Sequence, residues 1–138
     1  MVTTPDGTIF GVVPYQPMTL AQLGGFLSRT ADDASRWRLV AEFLEEHRHE
    51  PRDVRLGLLA DEPAPTGDEH WDVFLAALAE HLAAIDERRG PRWCEERSLD
   101  VFWFPYNTKA ARAEAIVHAP SAFRRRGVFV ARWELEVA

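Results

Sequence analysis

Apolar residues spaced three and four apart run through the chain from Thr19 onward, and proline and glycine cut that pattern into short helices. Thr19 suits the N-cap of a helix to about Ser28, weakened by Gly24 and Gly25. Thr30 or Asp32 opens the next helix, which runs to about His49 and is stopped by Pro51. On it Trp37, Val40, Ala41, Leu44 and His47 share one face, while Glu42, Glu45, Glu46 and Arg48 point elsewhere. A shorter helix from Arg52 to Ala60 turns Val54, Leu58 and Leu59 inward.

The stretch Asp61–Gly67, with two prolines and a glycine, is a break too short to be a flexible interdomain linker. Asp68 then caps the strongest helix, with Trp71, Phe74, Leu75, Leu78, Leu82 and Ile85 as its apolar stripe and Gly90-Pro91 as its stop. Beyond it the chain turns aromatic, at Trp93 and then from Val101 to Tyr106. Asn107 or Thr108 caps a helix to about His118, whose periodicity buries Ala110, Ala113, Ile116 and Val117; Pro120 stops it. Ser121–Gly127 reads as one more helical turn closed by glycine, Val128–Val130 as a short strand, and Trp133 and Leu135 as a last short element.

Residues 1–16 differ from the rest. Pro5-Asp6-Gly7 is a turn signal, and Thr8–Val13 has strand composition, broken by Pro14 and Pro17, so this part reads as an N-terminal arm, an edge strand or a mobile tail. The expected fold is mainly α: a single compact multi-helix domain over residues 17–138, with room for a short β element from the N-terminal arm, from residues 128–131, or from both.

Composition narrows the class. With 138 residues and 46% hydrophobic content the chain can bury one ordinary core, and five tryptophans and eight phenylalanines make that core dense. A net charge of -6 argues against a surface that grips nucleic acid all round. The lone Cys94 makes no internal disulfide, and Glu95 and Glu96 beside it oppose a thiolate. No signal-peptide pattern or membrane-length apolar run is found, so the expectation is a cytoplasmic protein with no membrane contact.

Candidate chemistry is sparse. The run Glu46–Glu50 holds His47 and His49, and Glu45 with His49 offers two metal ligands on one helix face, to be completed by His70 or His81. Solvated histidines at a helix C-terminus account for the run without a metal, and no metal or cofactor is expected. Asp61, Glu62, Asp68, Glu69 and Asp72 cluster around the central break, either as acid–base groups or as helix-capping charges. Nucleophile-elbow, phosphate-loop and dinucleotide motifs are missing.

Charge is divided. Acids dominate from Glu42 to Glu87, whereas between Lys109 and Arg132 the cations Lys109, Arg112, Arg124, Arg125, Arg126 and Arg132 oppose only Glu114. The two poles either present a bipolar docking surface or neutralise each other within the fold. Arg124-Arg125-Arg126 next to Phe123 has the chemistry of a phosphate clamp, although successive arginines cannot all face one way. Phe102-Trp103-Phe104 reads as a stacking platform if extended, or else as a core plug joining two helices.

Four stretches carry a family resemblance: Pro65-Thr66-Gly67-Asp68-Glu69-His70-Trp71-Asp72, Leu78–Ala83, Phe102-Trp103-Phe104-Pro105, and Pro120–Phe129 with its Ser-Ala-Phe-Arg-Arg-Arg-Gly-Val-Phe core. Through them the region from about Arg36 to Leu135 resembles uncharacterised, antitoxin-like small actinobacterial proteins, some joined to a helix-turn-helix module and some paired with a toxin such as a nucleotidyltransferase. No convincing helix-turn-helix module precedes the shared region here, and no catalytic residue carries over. The resemblance implies a non-enzymatic, partner-binding protein that neutralises or regulates a toxin-like neighbour, in an oligomeric state it leaves open. Glu62, Asp68, Glu69, Asp72, Phe123, Arg124, Arg125 and Arg126 are its candidate contacts. The alternatives are a nucleic-acid-associated transcriptional regulator using Lys109, Arg112 and the three arginines, and, ranked lower, a small enzyme or metal-binding protein.

Overall fold

The computed structural model describes residues 15–136, so the expected strand at Thr8–Val13 lies outside the described residues. Among the described residues six helices follow one another: α1 (Leu20–Ser28), α2 (Asp33–Arg48), α3 (Arg52–Gly57), α4 (Glu69–Ile85), α5 (Lys109–His118) and α6 (Ser121–Arg124), with 3-10 turns at Arg92–Cys94 and Arg132–Leu135. The protein is mainly helical, as its periodicity predicts.

Helix starts are where the sequence expects them, because capping is local chemistry. Thr19 accepts from Gln22 N at 3.1 Å while Gln22 Oε1 accepts from Thr19 N at 2.9 Å, a reciprocal capping box. Asp32 caps α2 through Ser35 N, Asp68 caps α4 through His70 N, and Thr108 caps α5 through Ala111 N. Each such cap contributes about 1 kcal/mol.

The centre of the molecule is α4. Every residue from Val73 to Ala79 is buried, so over two turns the helix is wrapped on all sides rather than along one stripe. It packs against α1, α6 and the Arg92–Cys94 turn, while α1 also packs on α2. Gly24 makes the α1 contact possible. A Cβ there would lie 2.8 Å from Pro63 Cβ and 3.3 Å from Leu75 Cδ1, so glycine is needed for close approach. Trp37, Trp71, Phe74 and Trp103 form an aromatic cluster at edge-to-face or tilted angles, closed by Tyr106 stacked on Trp37 at 4.8 Å. The Trp71 indole donates to Asp33 Oδ1 at 3.1 Å, which satisfies its one polar atom.

Several boundaries and faces differ from expectation. Helix α3 ends at Gly57; Leu58 and Leu59 are buried beyond it, but Val54 is exposed. Helix α4 stops at Ile85, five residues before Gly90. Glu87 takes a left-handed φ of 59°, letting its N–H reach Ala84 O and the Arg88 N–H reach Ala83 O, both at 2.9 Å. That closes the helix as glycine usually does. Ile85, expected inside, is 64% exposed. The Val128–Val130 strand reduces to a single parallel bridge between Trp103 and Val128. It is held by Trp103 N to Gly127 O at 2.8 Å and Phe129 N to Trp103 O at 2.9 Å.

Candidate functional site

Helix α5 departs furthest from its expected orientation. It rests on the domain through Ala115, which joins Ala119, Phe129 and Phe104 in a small satellite core. Small side chains let the helix lie close to the Phe104 and Phe129 rings, which stack at 5.3 Å. The opposite stripe, Ala110, Ala113 and Val117, faces away from the domain with Ile116 beside it. These are the residues whose periodicity predicted burial; instead Ile116 is 52% and Val117 67% exposed.

A second exposed apolar group flanks the same satellite core. Val101 is 77% and Phe102 67% exposed, and the Phe102 ring leans on Phe129 with centroids 4.9 Å apart. The Phe102–Phe104 segment is extended at the Trp103 bridge, which puts its two outer rings on Phe129 and its middle ring into the aromatic core. It is a core plug at Trp103 with one exposed ring at Phe102. Arg124 binds the two groups together: its guanidinium lies 5.7 Å from the Phe129 ring and donates to Val117 O and Ala119 O at 3.4 Å. Lys109 and Arg112 are exposed on α5 and make no ion pair among the described residues.

The other candidate residues have structural duties. Phe123 is wholly buried against Phe74, so it is not available to a partner at this surface. Arg126 is only 3% exposed; it pairs with Glu80 at 2.5 Å and donates to Ala122 O and Cys94 O, both at 2.9 Å. Arg125 pairs with the other oxygen of Glu80. Two of the three arginines therefore neutralise an acid of α4, and the run is not a three-pronged phosphate clamp. Of the acidic cluster, Glu62 binds Arg97 at 2.9 Å, Asp68 caps α4, and Asp72 Oδ1 accepts from Thr66 N and Oγ1 at 2.8 Å. Glu69 is exposed in the first turn of α4, and Asp61 is exposed in the loop.

The histidine run splits. His49 is solvated, with Nδ1 2.8 Å from Glu45 O, but His47 is buried, which overturns the solvated reading for that residue. His70 stacks on Trp103 at 4.6 Å and His81 packs edge-on to Phe123 at 5.8 Å, so each is committed to an aromatic contact. Among the described residues no three His, Cys, Asp or Glu side chains gather around one point. Cys94 is buried and donates its thiol to Pro91 O at 2.9 Å. Burial pushes that thiol's pKa up, with Glu95 adding to the effect, which keeps it protonated.

Fold and surface together define a small helical domain wrapped around one buried helix, with an apolar, basic-edged face at its periphery. Comparison with protein-family models, curated proteins and solved structures returned no match to the chain. No helix of the described residues is long and apolar enough to cross a membrane.

Proposed function

We propose that the protein is a non-catalytic binding partner, an antitoxin-like component that holds a toxin or regulatory protein encoded nearby. Its contact face is the outer side of α5 together with Phe102. The observation that carries this reading is an amphipathic helix presenting Ala110, Ala113, Ile116 and Val117 outward, beside Lys109 and Arg112, which make no ion pair among the described residues. Branched and aromatic side chains exposed side by side lose little on burial and serve as interface anchors. The cationic edge selects a partner surface with an apolar groove and an acidic rim. A nucleotidyltransferase-type toxin is one partner to test.

The experiment is co-expression with the genomic neighbours, in the wild type and in Ile116→Asp and Val117→Asp variants. We expect one neighbour, toxic when expressed alone, to co-purify stoichiometrically and be neutralised. Either aspartate breaks that complex while leaving the melting temperature within about 2 °C, because an exposed substitution changes stability by about 0.5 kcal/mol or less. A complex indifferent to both variants overturns the assignment of this face.

One observation favours nucleic acid as a second reading: Lys109, Arg112 and Arg124 are exposed cations, none of them in an ion pair among the described residues. Arg125 and Arg126 drop out because Glu80 holds them. Phosphate binding by these three exposed cations gives a log–log salt slope of about -3, and replacing them together flattens it.

A further inference from the structure

A cleft of about 300 Å³ opens between the C-terminal ends of α2 and α4 and the last 3-10 turn. Leu44, Leu82 and Leu135 line it, and Ile85 stands at its edge. Three polar side chains, Arg55, Asp86 and His47, meet there. Asp86 has both oxygens occupied by Arg55, from Nε at 3.0 Å and from a terminal nitrogen at 2.5 Å. The remaining Arg55 nitrogen donates to Glu50 O at 2.7 Å. Arg48, at the margin, is engaged by Glu45 and by the Glu136 carbonyl. His47 alone is left incomplete: it is 4% exposed, and its Nε2 has no hydrogen-bond partner.

A buried polar atom without a partner is costly; Nε2 is closed to solvent as the ring stands, so a turn of the His47 ring toward the apolar cleft beside it is what brings it one. We propose that this cleft binds a small, largely apolar molecule carrying one hydroxyl group, alcohol or phenol, which hydrogen-bonds to His47.

The chemistry of the walls selects that head group. A neutral imidazole donates at one nitrogen and accepts at the other, and a hydroxyl can do either, so it satisfies Nε2 in both tautomers. Burial, with Arg55 adding to it, holds the His47 pKa below the ordinary histidine value and keeps the ring neutral. The charged groups of the wall are of both signs and already engaged, Arg55 with Asp86 and Arg48 with Glu45 and the Glu136 carbonyl, so neither a carboxylate nor an ammonium meets an uncompensated countercharge. Ile85 explains the mouth: the last apolar residue of α4 is 64% exposed there, as a lip over an open cleft would be. This inference does not depend on the α5 face, which lies on other elements.

The test is an NMR titration of the full chain, with labelled Leu and Ile methyl groups and imidazole nitrogens. The probes are 2-naphthol, naphthalene and 2-naphthoate. Saturable shifts are expected at Leu44, Leu82, Ile85, Leu135 and the His47 ring, with 2-naphthol bound about tenfold more tightly than naphthalene, the scale of one neutral hydrogen bond. 2-Naphthoate should bind more weakly than 2-naphthol. The variant His47→Phe should bind both neutral probes equally. Ile85→Trp, at an exposed position that does not threaten folding, should close the mouth and remove binding of all three. Equal affinity for 2-naphthol and naphthalene in the wild type, no saturable binding, or shifts centred elsewhere overturns the proposal.

Discussion

Replacing Arg126 by alanine separates an internal brace from a ligand clamp. Arg126 ties three elements together: its guanidinium reaches Glu80 on α4, the Ala122 carbonyl on α6 and the Cys94 carbonyl on the first 3-10 turn. Alanine leaves two carbonyls without donors and takes one of two cations from Glu80. Removing one partner of a buried ion pair costs about 3–5 kcal/mol. Two features place this case at the lower end: Glu80 keeps Arg125 and remains 22% exposed, and burial already disfavours the Arg126 charge, since its pKa is lowered. We expect about 3 kcal/mol, equivalent to a fall in melting temperature of about 10 °C for a domain of this size. Arg125→Ala removes a 59% exposed partner of the same carboxylate and should cost less than about 1 kcal/mol. Urea unfolding of both variants, with the Glu80→Ala cycle, measures the coupling directly. Equal costs for Arg126→Ala and Arg125→Ala, within about 0.5 kcal/mol, would refute the role of Arg126 as an internal brace.

Four further outcomes follow from other parts of the fold. His47 and His81 both have pKa values lowered by burial, so the unfolded chain binds their protons first and stability falls as pH drops below about 6.5. The limiting slope is about 1.4 kcal/mol per pH unit for each histidine. Urea midpoints at pH 7.5 and 5.5 measure it, and coincident midpoints contradict the burial of both rings. Asp86 behaves oppositely in charge but acts in a lower window: its pKa is lowered chiefly by the Arg55 hydrogen bond, so its contribution is complete above about pH 4 and lost in stronger acid. Glu87→Gly removes a side chain from a φ of 59° and should raise stability by about 1 kcal/mol in thermal melts; a loss would contradict the left-handed cap. Gly24→Ala should destabilise by about 1–3 kcal/mol, whereas Gly25→Ala, where a Cβ meets only the flexible end of Arg29 at 3.7 Å, should stabilise by up to about 1 kcal/mol. Equal effects at the two glycines would remove the close approach of α1 to Pro63.

What the sequence revealed was what neighbouring residues decide. Thr19, Asp32, Asp68 and Thr108 act within three residues of themselves, so their helix starts were legible. The α4 stop was not, because a glutamate at Glu87 carries none of the signal that glycine does. Helix α5 misled through size. Periodicity favours large apolar residues such as Ile116 and Val117, whereas the helix docks on Ala115 because close approach to the Phe104 and Phe129 rings requires a small one. Phe43, fully buried on α2, lies beside the Val40–Leu44 stripe and widens the buried face beyond it. The arginine run was recognised as distinctive, but its partner Glu80 lies 45 and 46 positions away, and no local pattern pairs them. For the same reason the His47 cleft, walled by α2, α3, the end of α4 and the last 3-10 turn, left no trace in the chain order.

The division of charge along the chain therefore has a different meaning in three dimensions. Its acidic middle and basic end meet at Glu80, where α4 takes up Arg125 and Arg126, and the acid that follows α4, Asp86, is taken up by Arg55 from α3. Neutralisation consumes the residues that looked most like a binding site and holds α3 and α6 to the central helix. What is left over sits on α5 and beside it: Lys109, Arg112 and Arg124 around apolar side chains with no cover among the described residues. A stray charge on a surface needs no explanation, and neither does a single exposed valine. Ile116 and Val117 on a helix that reaches the core only through small residues are a different case. Turning that helix over would bury them but drive their bulk against Phe129, so the observed orientation keeps the satellite core and leaves the larger side chains free to be covered by another molecule.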